Sequence, residues 1–192
     1  MKKILSYTLI TIFSISACVN SLETGKEPTQ DTIKKTQLSP KNAVLGDFNG
    51  DGQKESMWLI PPKLTEDGMD CESGCGCVIR FSDNTIPDLS ISDFCIGGNP
   101  VNEGDLNDDG QDEITIIPDW FTSTWRKAYI YHLKNGKWEL LVKPLDYWMT
   151  SGIDLDLIKK DSTKENHVII SQFKWTEDMS EVVVDSESVK VK

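Results

Sequence analysis

Two nine-residue stretches carry nearly the same text. Asp47-Phe48-Asn49-Gly50-Asp51-Gly52-Gln53-Lys54-Glu55 and Asp105-Leu106-Asn107-Asp108-Asp109-Gly110-Gln111-Asp112-Glu113 both fit D-x-N-x-D-G-Q-x-E. Each follows a glycine (Gly46, Gly104) and runs into an apolar segment, and their first residues lie 58 positions apart. Oxygen-bearing side chains at loop positions 1, 3, 5 and 9 are the donors a hard cation takes, and calcium accepts about 6–8 oxygens at about 2.3–2.6 Å. The glycine at position 6 lets the backbone turn sharply at positive φ. A chain that repeats such a loop in one register must build a similar unit twice, so ion chemistry and architecture are read from the same residues.

The segments around the loops are strand-like. Ala43-Val44-Leu45 enters the first loop, and Ser56-Met57-Trp58-Leu59-Ile60 leaves it until Pro61-Pro62 stops the run. Cys77–Phe81 and Ile86–Phe94 flank a turn at Asp83-Asn84, and Ile114–Ile117 leaves the second loop and ends at Pro118. Lys127–Leu133 alternates, then Asn135-Gly136 turns into Lys137–Val142, and Asn-Gly between alternating runs is a strong hairpin signal. The tail offers Ile153–Ile158, His167–Phe173 and Glu181–Val184 as further strands. No stretch keeps a helical period. The expectation is an all-β chain of two or three four-stranded, blade-like antiparallel units, at about 43–100, 101–150 and a degenerate 151–192 that lacks the loop. They would form an incomplete β-propeller-like arc or a compact sandwich.

An EF-hand needs an acidic residue at loop position 12 and helices on both sides. Position 12 is Trp58 in one copy and Ile116 in the other, each inside an apolar strand run, which excludes it. The two nonapeptides resemble the FG-GAP/VCBS-type repeat of integrin α-like propellers and exported bacterial proteins, where a D-x-[DN]-x-D-G-x-x-[DE] loop joins two strands of a blade. The resemblance covers roughly residues 43–142. It implies two structural calcium sites, with ligands at Asp47, Asn49, Asp51 and Glu55 and at Asp105, Asn107, Asp109 and Glu113. Gln53 and Gln111 fall where the family uses a backbone carbonyl. The chain departs from the family in its Glu at the ninth position, whose extra methylene implies a looser or bidentate grip. It also has far less material than the 4–8 blades of a full propeller.

The amino-terminal residues bear on location. Lys2-Lys3, an apolar run from Ile4 to Ile15 and Ile15-Ser16-Ala17-Cys18 have the layout of a signal peptide, too short to span a membrane as a helix. Ile-Ser-Ala-Cys resembles a bacterial lipobox, which implies cleavage before Cys18 and its lipidation (palmitate among the acyl groups). Residues 1–17 are then a leader, 18–40 a flexible polar tether, and 41–192 the β-repeat domain. Val19 follows the cysteine where an inner-membrane retention signal has Asp, which favours the outer membrane as the anchoring envelope surface.

Loss of the leader leaves 18 basic against 31 acidic residues, which speaks against nucleic acid as a partner. Cys71, Cys75, Cys77 and Cys95 remain, an even count that reads as two disulfides in an exported chain, with three connectivities open. An oxidising compartment and the lack of a nearby histidine argue against zinc at this cluster.

Catalytic signals are sparse. The chain has two histidines, His132 within the alternating strand and His167 at the start of another, both read as strand residues, and no nucleophile-elbow, H-E-x-x-H or P-loop pattern occurs. Trp120, Phe121 and Trp125 lie in a loop between strands, where exposed rings suit a ligand surface that Tyr147-Trp148-Met149 would extend, or cover the ends of the core. The function expected is a non-catalytic, membrane-anchored calcium-binding module with a protein or glycan partner. A structural accessory lipoprotein and a glycan-active enzyme are the alternatives.

Overall fold

The computed structural model describes residues 40–92 and 94–191. The expected leader, Cys18 and the tether up to residue 39 lie outside the described residues. Every regular element among the described residues is a strand, and these strands form three antiparallel sheets, none closed into a barrel.

The first sheet runs β1 (Val44–Gly46), β2 (Glu55–Ile60), β3 (Cys77–Phe81), β4 (Leu89–Ile91) in spatial order. The second runs β5 (Val101–Gly104), β6 (Glu113–Ile116), β7 (Trp125–Lys134), β8 (Lys137–Leu140), with β9 (Leu145–Trp148) added against the first half of β7. The third holds β10 (Ile158–Lys160), β11 (His167–Trp175) and β12 (Val182–Lys190). The sheets therefore have four, five and three strands.

Several strand expectations need correction. Ile86–Phe94 pairs only over Leu89–Ile91, and of Ile153–Ile158 only Ile158 enters a strand. Strand β12 extends past Val184 to Lys190, and β9 was not foreseen.

Side-chain alternation explains how the sheets stack. One face of the middle sheet sends Ile114, Ile116 and Leu133 into a core with Met57, Ile79, Phe81 and Leu89 of the first. The other face sends Ala128 and Ile130 into a second core with Ile158, Val168 and Ile170 of the third. All four residues of β6 are buried, as a strand covered on both faces requires. Trp138 adds a tie across the first junction, stacking on Phe81 at 5.3 Å and donating its indole N–H to the Pro87 carbonyl at 2.7 Å.

Two disulfides, Cys71–Cys75 and Cys77–Cys95, have Cα separations of 5.3 and 5.5 Å. The first closes the short loop after β2, and the second ties the start of β3 to the segment after β4.

Candidate metal centres and aromatic cleft

Position 2 of each loop anchors it to a core. Phe48 is fully buried between the first and second sheets, and Leu106 is buried between the second and third. Around that anchor the two loops repeat one hydrogen-bond scaffold. Asp47 accepts the N–H groups of Asp51 and Gly52, as Asp105 accepts those of Asp109 and Gly110. Asn49 and Asn107 each accept the N–H two residues on, and Asp51 and Asp109 accept those of Gln53 and Gln111. Gly52 and Gly110 stand at φ +82° and +86° with open space where a Cβ would project, so the turn itself is what asks for glycine there.

The ninth position behaves as its extra methylene allows. Glu55 Oε2 accepts the Phe48 N–H at 3.1 Å, and Glu113 Oε2 accepts the Leu106 N–H at 2.6 Å, so each carboxylate reaches beneath its own loop. Glu113 is 0% exposed. Burial first, and then Asp109, Asp105 and Asp112, push its carboxyl up to about 8 against the Leu106 bond. Burial also raises the Glu55 carboxyl, against the Phe48 bond.

Strand register brings a further donor to each loop, one that sequence spacing did not reveal. Met57 pairs with Phe81 and Ile114 with Tyr131, so Glu55 falls opposite Asp83 and Glu113 opposite His132. Ligand atoms of Asp51, Glu55 and Asp83 lie within 4.8 Å of one another, as do those of Asp109, Glu113 and His132. The same topological position thus carries a carboxylate in one repeat and an imidazole in the other. His132 is 5% exposed, burial lowers its pKa, and its Nδ1 is buried without a hydrogen-bond partner. Such a nitrogen ordinarily costs about 1–3 kcal/mol.

The donor sets fit a dication. Each carboxylate oxygen that accepts an amide hydrogen retains lone-pair capacity for an ion. In the second loop Asn107 Nδ2 lies 3.1 Å from Asp109 and 3.0 Å from Glu113, so the positive edge of an amide already occupies the space between two carboxylates. Asp47, Asn49, Asp51 and Glu55, and likewise Asp105, Asn107, Asp109 and Glu113, are brought into one loop apiece by these bonds. Gln53 and Gln111 enter through their backbone N–H groups. The third group of potential ligands, Asp70, Cys71 and Cys75, has both its thiols in a disulfide.

Each loop is also braced by the unit that follows it in the chain. Asp112 N–H donates to the Asp47 carbonyl at 2.8 Å, and Asp112 Oδ2 accepts the N–H of Asp47 at 2.9 Å and the Asn102 amide at 2.8 Å. A Cβ on Gly50 would come within 3.0 Å of the Gln111 side chain, so the tip of the first loop lies against the second. The second loop is met in turn by Lys160 of β10, which bonds the Asp105 carbonyl and pairs with Asp108.

In the third sheet the turn between β10 and β11 occupies the place of the loops, and its first residue is again an aspartate. Asp161 is held by hydroxyls instead: Thr163 Oγ1 and Ser188 Oγ each donate to it at 2.6 Å, and the Thr163 N–H at 2.9 Å. These bonds, Ser188 first, hold its carboxyl down at about 2.

The aromatic loop lies on another part of the second sheet. Arg126 clamps it, its guanidinium donating to the carbonyls of Trp120, Thr122, Ser123 and Trp125. Trp125 faces Trp148 across the β7–β9 pair, ring planes 8° apart at 5.9 Å, so the β9 that sequence reading missed is what extends the surface. Phe94, 69% exposed and next to disulfide-bonded Cys95, meets Trp120 edge-on at 5.1 Å. Hydrogen bonds of 3.0 Å from Ile96 N–H to Asp119 O and from Asp119 N–H to Gly97 O join the two segments. Together they border a cleft of about 280 Å³ lined by Phe94, Trp120, Trp125, Tyr129 and the paired Lys127 and Asp146.

No family model, curated protein or solved structure matches this chain.

Proposed function

We propose that this chain is a calcium-binding, lipid-anchored envelope lipoprotein that acts as a binding or adhesion-type module with no turnover of its own. The observation that carries the calcium reading is the repetition of one loop scaffold, donor for donor, at two sheet junctions. A dication there neutralises carboxylates that would otherwise repel, and so fastens each loop to the sheets it joins. Its role is structural.

Binding is assigned to the aromatic cleft. Phe94 at its rim is exposed and Trp120 and Trp125 are half-buried, while Arg126 and the Cys77–Cys95 bridge fix the segments that carry them, and a rigid aromatic platform loses little entropy when a glycan ring or an apolar side chain settles on it. Anchoring is supported by Ile15-Ser16-Ala17-Cys18, the lipobox-like end of the leader-like segment. Protein or glycan remains the ligand class.

A glycan array together with a pull-down from envelope extract, using wild type and the Trp120→Ala/Trp125→Ala double variant, tests the binding role. Capture by wild type and loss in the variant, with equal calcium-dependent melting, supports it. Equal capture by wild type and the double variant removes the cleft from the reading, and no capture at all favours the accessory role. Intact-mass analysis of the mature protein tests the anchor, since an unacylated amino terminus overturns it.

A further inference from the structure

We infer that the two loops are chemically different sites: the first is confined to hard cations, whereas the second takes a zinc-class dication through His132 in preference to calcium. The inference rests on the reading of the loops as cation sites and divides that reading in two.

At the first loop the register partner of Glu55 is Asp83, so Asp47, Asp51, Glu55 and Asp83 are all carboxylates and Asn49 adds an amide oxygen. An all-oxygen, strongly anionic set suits calcium. At the second loop the partner of Glu113 is His132, and the side-chain donors are three carboxylates, the Asn107 amide and an imidazole. Lys160 further reduces the local negative charge by pairing with Asp108 at the rim. Hard cations bind neutral nitrogen poorly, whereas zinc and its neighbours take imidazole readily alongside carboxylate.

A second observation points to a ligand here. His132 is 95% removed from solvent, within 4.8 Å of Asp109 and Glu113, and its Nδ1 has no hydrogen-bond partner. Its strand neighbours on the same face, Ala128 and Ile130, fill the core, so the ring sits where that apolar face ends and the loop begins. Buried with carboxylates beside it, the imidazole is placed as a ligand in waiting.

The test uses untagged, chelator-stripped, disulfide-intact protein carrying Asp47→Ala, which disables the first loop. Calorimetric titration with zinc chloride and, separately, with calcium chloride is expected to show one zinc ion bound at least about 10-fold more tightly than calcium. His132→Gln is expected to weaken zinc by at least about 10- to 100-fold, the usual cost of losing even an outer-shell partner of a ligand, and to leave calcium within about 3-fold. In case that variant misfolds, ¹⁵N spectra of the wild-type side chains give a second readout, because the chain has only His132 and His167. Zinc should shift the ring nitrogens of His132 and calcium should not.

Zinc binding no tighter than calcium, or a His132 ring unmoved by zinc, overturns the inference. If wild type takes up no calcium yet Asp47→Ala protein binds zinc through His132, the calcium reading fails and the zinc assignment stands. If neither ion binds, both fall.

Discussion

Asp47 and Asp112 hold one another across two repeats, the N–H of Asp112 bonding the Asp47 carbonyl at 2.8 Å while its side chain accepts the Asp47 N–H at 2.9 Å. The first residue of the first loop is therefore fixed by the eighth residue of the second. An ion gripped by Asp47 would act on the junction between sheets as well as on its own turn. Asp112→Ala strips the partner from the Asp47 N–H and from the Asn102 amide, and should cost about 1–3 kcal/mol. At this domain size that is roughly 3–10 °C in melting temperature. Asp112→Asn keeps an acceptor oxygen and should recover most of the loss. Thermal melts of the three proteins check this, and equal loss in both variants would contradict it.

The hydroxyl cage of Asp161 makes the third sheet acid-sensitive. Its carboxyl is held at about 2 against an ordinary 3.8, so its stabilising contribution is complete above pH 3.8 and disappears as pH falls through about 2. Ser188→Ala removes the largest cause and should move that carboxyl back toward its ordinary value. Carboxyl ¹³C titration of the two proteins reads this directly, and an unchanged Asp161 midpoint would count against it.

Arg126 is a structural clamp for the cleft. Arg126→Met retains the apolar stem but leaves the carbonyls of Trp120, Thr122, Ser123 and Trp125 without their cation. A loss of about 2–3 kcal/mol is expected, since bonds to charged groups are the stronger kind. Amide exchange should quicken across residues 120–125 while β6 stays protected. Unchanged exchange in that loop would show the clamp to be dispensable.

The disulfides should differ in weight. Cys77–Cys95 spans 18 residues and Cys71–Cys75 spans 4. Loop-closure entropy then gives about 3 kcal/mol for the longer bridge and about 2 for the shorter. Denaturant unfolding of the two double-serine variants measures the order, and the longer bridge should also be the one whose loss loosens Phe94 over the cleft.

The sequence made the loops and the strands leaving them readable because both carry strong local signals. Position 12 at Trp58 and Ile116 excluded helices from the pattern, and alternation located β7 and its Asn135-Gly136 turn. Strand β9 escaped because it pairs with the first half of β7, leaving β8 the second half, a division that no local period encodes. Strand β12 looked shorter than it is because Asp185, Ser186, Glu187 and Ser188 lie on a sheet edge, where polar side chains are tolerated and the apolar alternation fades. Asp83 and His132 lie 28 and 19 positions beyond their glutamates, and only the pairing register reveals them. Composition fixed the number of bridges expected, while their connectivity needed the fold.

The repeated loops are proposed as cation sites that fasten the sheets together. Calorimetric titration of chelator-stripped wild type with calcium chloride, paired with melting in excess calcium and in chelator, tests this role most directly. Two calcium ions per chain are expected, one lost in Asp47→Ala and the other in Asp105→Ala. The melting temperature should rise with calcium, by about 2.7 kcal/mol of added stability for each site held at 100 times its Kd. No heat of binding, together with the same melting temperature in calcium and in chelator, would contradict it.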